Sequence, residues 1–212
     1  WHVSASDLAD PRGEVEGRVL IFHDTTERWQ AEQELRAATD ALTAANRELT
    51  RLVTHDPLTR TLQRSAFLRQ TQEECARARR GGREVRLLTV RLENLAELNA
   101  SAGSEVADQV LRALARLLES MRREGDLLGR TGAAEFALLM SEAGELQTER
   151  TVEELRRGLE RSRFRDARGR SLALCVRHGI AMLDDATPDA DELLAASARS
   201  VEHTAVPLLD GT

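Results

Sequence analysis

The stretch GRTGAAEF, residues 129–136, lies between the apolar runs DLL and ALLM and reads as the turn of a β-hairpin. It carries one carboxylate, Glu135. Just upstream, the run REGD holds Arg123 and Asp126, nine and six residues before Gly132. An arginine fork can grip phosphate or the O6/N7 edge of guanine, and an aspartate can accept from guanine N–H groups. The same pair at a helix end could equally be a surface ion pair of small energetic value. His2, His23 and His203 share no plausible metal geometry, His55 suits a turn, and His178 falls on a core strand. Cys75 and Cys175 match no metal spacing and suit buried, reduced positions.

The chain has 212 residues, enough for one substantial domain and an appendage. Its formal charge is −6, from 36 acidic and 30 basic residues, which argues against a nucleic-acid surface held by bulk electrostatics. All the basic residues are arginine, so any cationic grip on phosphate falls to guanidinium groups. No apolar run has the length of a membrane span and no signal peptide is visible. The expectation is a cytoplasmic fragment of a longer protein.

Residues 1–23 read as a hairpin, with strands in WHVSAS and GRVLIFH and a turn at DPRGE. A lone hairpin is marginal in water, so partner strands outside this segment are expected. Asp24 and Glu27 form a capping-box pattern that opens a long helix. Along it Leu35, Ala38, Leu42, Ala45, Leu49 and Leu52 recur at alternating spacings of three and four, a seam suited to a parallel two-stranded coiled coil. From residue 56 helices over RSAFLRQTQEECARARR (ending at Gly81-Gly82), GSEVADQVLRALARLLESMRR and TVEELRRGLERS alternate with strands in EVRLLTVRL, LLGRT, EFALLM and SLALCVRHGIAML. A last helix over DADELLAASARSVEH follows that Asp189 would cap. The pattern predicts an α+β (α/β-like) domain with helices packed on a central sheet.

Four ordered landmarks carry a family resemblance: HDPLTRTLQR (55–64), RLENLAELNASAGSEVADQVL (91–111), GAAEF (132–136) and CVRHGIAM (175–182). Residues 55–212 with these landmarks resemble a GGDEF domain, the module of diguanylate cyclases that joins two GTP into cyclic di-GMP. The resemblance implies a mainly antiparallel, nucleotidyl-cyclase-like sheet flanked by helices. Residues 1–24 resemble the last hairpin of a PAS domain, and 25–54 a signalling helix that would form a coiled-coil homodimer.

In such a domain two carboxylates hold the divalent metal that activates the reaction. The matching positions here are Arg91 and Ala134, and the second turn glycine is Ala133. A guanidinium repels Mg²⁺ where it should sit, and a methyl offers no ligand atom. Glu93 and Glu135 remain acidic as vestiges, and no metal site is expected. The lysine that the family's late helix brings to the phosphates corresponds to Ala205. The guanine-contacting pair matches at Asn99 and Asp108, and the inhibitory site for cyclic di-GMP matches at Arg123 and Asp126. The entry motif departs at Arg60, where the family has glycine, and at Gln63, where it has asparagine. The expected function is a signalling module lacking cyclase activity that binds cyclic di-GMP or GTP and relays a signal to a downstream protein. The alternatives are a weakly active cyclase, which would need Mg²⁺, and a purely structural dimerisation element.

Overall fold

The structure is a computed structural model that describes residues 1–9, 11, 15–24, 26–162, 164–165, 169–184, 187, 189–200 and 202–206. It divides into two compact units, Trp1–Arg51 and Leu52–Thr212.

In the first unit β1 (His2–Ala9) and β2 (Val15–His23) form an antiparallel ribbon that sets His2 opposite His23. Most of the expected turn lies outside the described residues. The Asp24 carboxylate accepts the Thr26 N–H at 2.9 Å, meeting one of the amides that a helix start leaves unsatisfied. From there α1 (Thr26–Thr54) runs 29 residues, roughly 43 Å at 1.5 Å per residue. On it Leu35 and Leu42 are 69% and 71% exposed. No helix of the described residues is long and apolar enough to cross a membrane.

The second unit is a six-stranded sheet with helices on both faces. In chain order its elements are β3 (Leu62–Gln63), α2 (Arg64–Gly81), β4 (Val85–Leu92), α3 (Leu95–Ala102), α4 (Ser104–Met121), β5 (Leu127–Arg130), β6 (Glu135–Ser141), α5 (Glu145–Arg161), β7 (Leu174–Met182), α6 (Ala190–Arg199) and β8 (Glu202–Val206). The strand order is β3-β5-β6-β4-β7-β8. Only the short β3–β5 pair is parallel.

The central strands read as continuous apolar runs because both of their faces are buried. Strand alternation sends Leu88, Val90 and Leu92 of β4, with Phe136, Leu138 and Met140 of β6, into a core shared with Leu111, Leu114 and Leu118 of α4. The intervening Val85, Leu87, Ala137 and Leu139 face Phe67 and Cys75 of α2 and Leu193 of α6. This fixed register aligns the ends of β4, β6 and β7, where the acidic and basic candidates fall.

Three boundaries differ from the sequence pattern. The 91–111 segment holds a separate helix, α3, which Gly103 divides from α4 by turning at φ 91°. Helix α5 begins at Glu145, ahead of the start at Thr151 that the pattern predicts. The last helix is capped by Asp189, whose carboxylate accepts the Glu192 N–H at 2.8 Å, but it stops at Arg199. Strand β8 follows, and Ala205, expected on a late helix, lies instead opposite Cys175. The exposed edge of β7 offers unpaired backbone groups, and pairing them favours a strand over further helix.

Candidate functional site

The signature turn joins β5 to β6. Thr131 and Gly132 both donate their N–H to the Glu135 carbonyl, at 2.9 and 3.3 Å, and close it. Neither Ala133 nor Ala134 has a positive φ, so alanine fits this turn without backbone strain. The Ala134 carbonyl accepts the Leu92 N–H at 2.9 Å, which ties the turn to the end of β4.

Arg91 is the penultimate residue of β4, directly opposite Glu135 on one neighbour and Arg177 on the other. Its Nε and Nη2 donate to Glu135 Oε2 at 3.2 and 2.8 Å. Thr131 Oγ1 donates to Glu135 Oε1 at 2.8 Å, so both oxygens of that carboxylate are engaged. The Glu135 side chain is 12% exposed and Arg91 57%. Two residues further along, Glu93 Oε2 lies 2.8 Å from Arg177 Nη2. Two carboxylates thus face two guanidiniums, and their formal charges cancel. The recess bordered by Arg91, Glu135 and Arg177 holds about 40 Å³, far below the few hundred of a ligand pocket.

A magnesium ion does not fit this donor set. Octahedral coordination needs several free oxygens. Here both oxygens of the buried carboxylate are already engaged, Ala134 contributes no side-chain ligand, and a fixed cation stands at the strand tip. Among the described residues no three histidine, cysteine or acidic side chains cluster as a metal site would require.

The other candidates lie apart from this cluster in the fold. Asn99 sits near the end of α3, where its Nδ2 donates to the Leu95 carbonyl at 3.0 Å. Asp108 is half-buried on the second turn of α4, 3.8 Å from Arg112. Arg123 and Asp126 occupy the turn between α4 and β5, at the opposite end of the β5–β6 hairpin from GAAEF. The four-residue strand between them spans roughly 13 Å. Asp126 is 6% exposed. Its oxygens accept the N–H of Arg123 at 2.9 Å and of Ser141 at 3.0 Å, which leaves the Arg123 side chain exposed and outside any ion pair with it.

Contacts invisible in the sequence complete the picture. Arg130 Nη1 binds both carboxylate oxygens of Asp56, at 3.1 and 3.3 Å, joining the entry motif to the signature hairpin. Burial pushes the Asp56 carboxyl up, but the Thr59 hydroxyl and amide and the Arg130 guanidinium outweigh it and hold the group below its ordinary 3.8. Gln63 Nε2 donates to the His55 carbonyl at 2.9 Å, so the longer amide still closes the entry loop. His55 shares a 2.8 Å hydrogen bond with Thr54, and His178 is buried on β7. Arg177 and Arg130 could have been found only with strand register in hand.

The family model of the diguanylate cyclase GGDEF domain matches residues 53–204. The chain belongs to the GGDEF family. Diguanylate cyclase DosC of Escherichia coli (strain K12) is 30% identical to this GGDEF chain over 139 residues, covering 66% of the chain and 30% of that protein. Diguanylate cyclase DgcM of the same organism is 32% identical over 122 residues, 58% of this chain and 26% of the relative. The matches therefore span about a third or less of these relatives. Among solved structures, the coiled coil and GGDEF domain of DgcB from Caulobacter crescentus, in complex with c-di-GMP, has a TM-score of 0.74 at 21% identity, covering 83% of this chain and 92% of that one. The GGDEF domain of FimX from Pseudomonas aeruginosa has a TM-score of 0.62 at 26% identity, covering 69% and 90%.

Proposed function

We propose that this chain is a signal-relay module whose GGDEF domain has lost cyclase activity and serves as a receptor for cyclic di-GMP, or for GTP held without turnover. One observation carries the reading: Arg91 stands at a metal-ligand position of the family and clasps Glu135, a surviving acid of the turn. A metal-dependent attack on a triphosphate would first have to displace that guanidinium and then recruit oxygens the site lacks.

Receptor activity rests on the turn at Arg123 and Asp126. Asp126 is rigidly seated by two backbone amides, and the neighbouring guanidinium is free to meet phosphate or a guanine edge. DgcB, which shares this fold, was crystallised with c-di-GMP. The ribbon and helix before the domain act in this reading as the end of a PAS sensor and as a dimerising signalling helix. Calorimetry with cyclic di-GMP tests the receptor role. Saturable heat that weakens about tenfold or more in Arg123→Ala supports it. No heat, or an unchanged affinity in the variant, removes it and leaves a dimerisation element.

A further inference from the structure

A second concavity, which borders the Arg123–Asp126 turn at Asp126, lies between the entry loop, α2, α4 and β5 and holds about 460 Å³. This is the size of a small-ligand pocket, with a small apolar floor and a lining that is otherwise mostly polar. Leu62, Leu127 and Leu128 form the floor. Arg60, Arg116 and Gln70 supply the polar groups.

The charge balance of this cleft is uneven. Glu119, on its wall, is neutralised by Arg122, whose Nε and Nη2 lie 2.8 and 2.7 Å from Glu119 Oε1. Asp126, also on the wall, spends its oxygens on the Arg123 and Ser141 amides. Arg60 and Arg116 are exposed and have no anionic partner among the described residues. Arg60, Arg116 and Arg122 against Glu119 and Asp126 leave a net positive charge around the cavity, and Arg60 and Arg116 are the guanidiniums that no carboxylate clasps. The Gln70 carboxamide is half-buried and has no hydrogen-bond partner among the described residues, which leaves it open to a ligand.

Arg60 adds a backbone argument. It holds φ at 66°, in the left-handed region that an arginine adopts at an energetic cost. Glycine would occupy this position without strain, yet the chain keeps a charged side chain on the rim. Strain retained at a cleft is a pointer to a ligand.

We propose that this cleft binds a nucleoside monophosphate. The dianionic phosphate ester matches the two free guanidiniums in charge, and arginine forks suit its oxygens. The planar base lies on the leucine floor, and the Gln70 carboxamide offers a donor and an acceptor to its edge. Asp126 borders the cleft but Arg123 does not, so Arg123→Ala separates this site from the cyclic di-GMP reading.

Isothermal titration of the full chain with guanosine and adenosine monophosphate, inorganic phosphate and free guanosine tests the assignment. A nucleoside monophosphate should bind with a Kd below about 1 mM, more tightly than inorganic phosphate, and the free nucleoside should give no heat. Arg116→Gln should weaken binding about tenfold or more. Arg60→Gly should weaken it similarly while raising the melting temperature, a combination that damaged folding cannot produce. Arg123→Ala should leave it unchanged. Absence of heat with either nucleotide at 10 mM (about tenfold above the expected Kd), wild-type affinity in both cleft variants, or equal affinity for inorganic phosphate would each overturn the proposal.

Discussion

A guanidinium stands at the tip of β4, clasping the one acid left in the signature turn of this GGDEF domain. The Arg91 guanidinium sits 2.8 Å from the carboxylate that a metal would need. The residue types at positions 91 and 134 were legible in the sequence. The partners were not. Glu93 meets Arg177 and Asp56 meets Arg130 only because strand pairing brings distant segments together. Asp56 yields a test at this scale. Its folded carboxyl lies below the ordinary value, so its stabilising contribution is full above about pH 4 and is lost as pH falls through the depressed value. Asp56→Asn should therefore cost about 1–2 kcal/mol at pH 7. The gap to wild type should close progressively below about pH 4 in denaturant titrations. A gap that stays constant down to pH 2.5 (about 1.5 units under the ordinary value) would show that the carboxylate's charge is not what matters.

At the scale of elements, hydrophobic periodicity carried most of the fold. Strands β4, β5, β6 and β7 were expected where they occur, because strands buried on both faces are written as continuous apolar runs. Helix ends were legible where a specific residue marks them, as with Asp189 and Gly82, the latter at φ 62°. They were misread where tertiary pairing decides. Helix α6 stops at Arg199 because the next segment pairs with β7, a choice that no local pattern encodes. The packing of α6 on β7 is unusually close. A Cβ built on Gly179 would come 2.1 Å from the carbonyl oxygens of both Ser197 and Ser200. Gly179→Ala should therefore destabilise the domain by about 3 kcal/mol or more, because backbone must move to admit a methyl. Thermal or urea unfolding reads this, and a loss under about 1 kcal/mol would mean that the helix shifts freely.

Across the whole molecule, one unit has a core and the other displays apolar side chains. The second unit buries Leu87, Leu88, Val90, Phe136 and Leu139 completely. In the first, Val3, Leu20, Ile21 and Phe22 of the ribbon and Leu35 and Leu42 of α1 are exposed. The heptad spacing on α1 is plain from the order of its residues, and a second copy of the helix is the occupant that spacing favours. Leu42→Asp should shift the chain from dimer to monomer at micromolar concentration in sedimentation velocity. An unchanged dimer would place the interface elsewhere. What the ribbon packs against was not legible, since its residues carry no pattern that names a partner.

Incubation of the chain with GTP and either Mg²⁺ or Mn²⁺, with nucleotides resolved by chromatography, addresses catalysis without intermediaries. The arrangement of Arg91, Ala134 and the engaged Glu135 predicts that no cyclic di-GMP accumulates with either ion. Steady formation of the cyclic dinucleotide, abolished by Glu135→Gln, would contradict it.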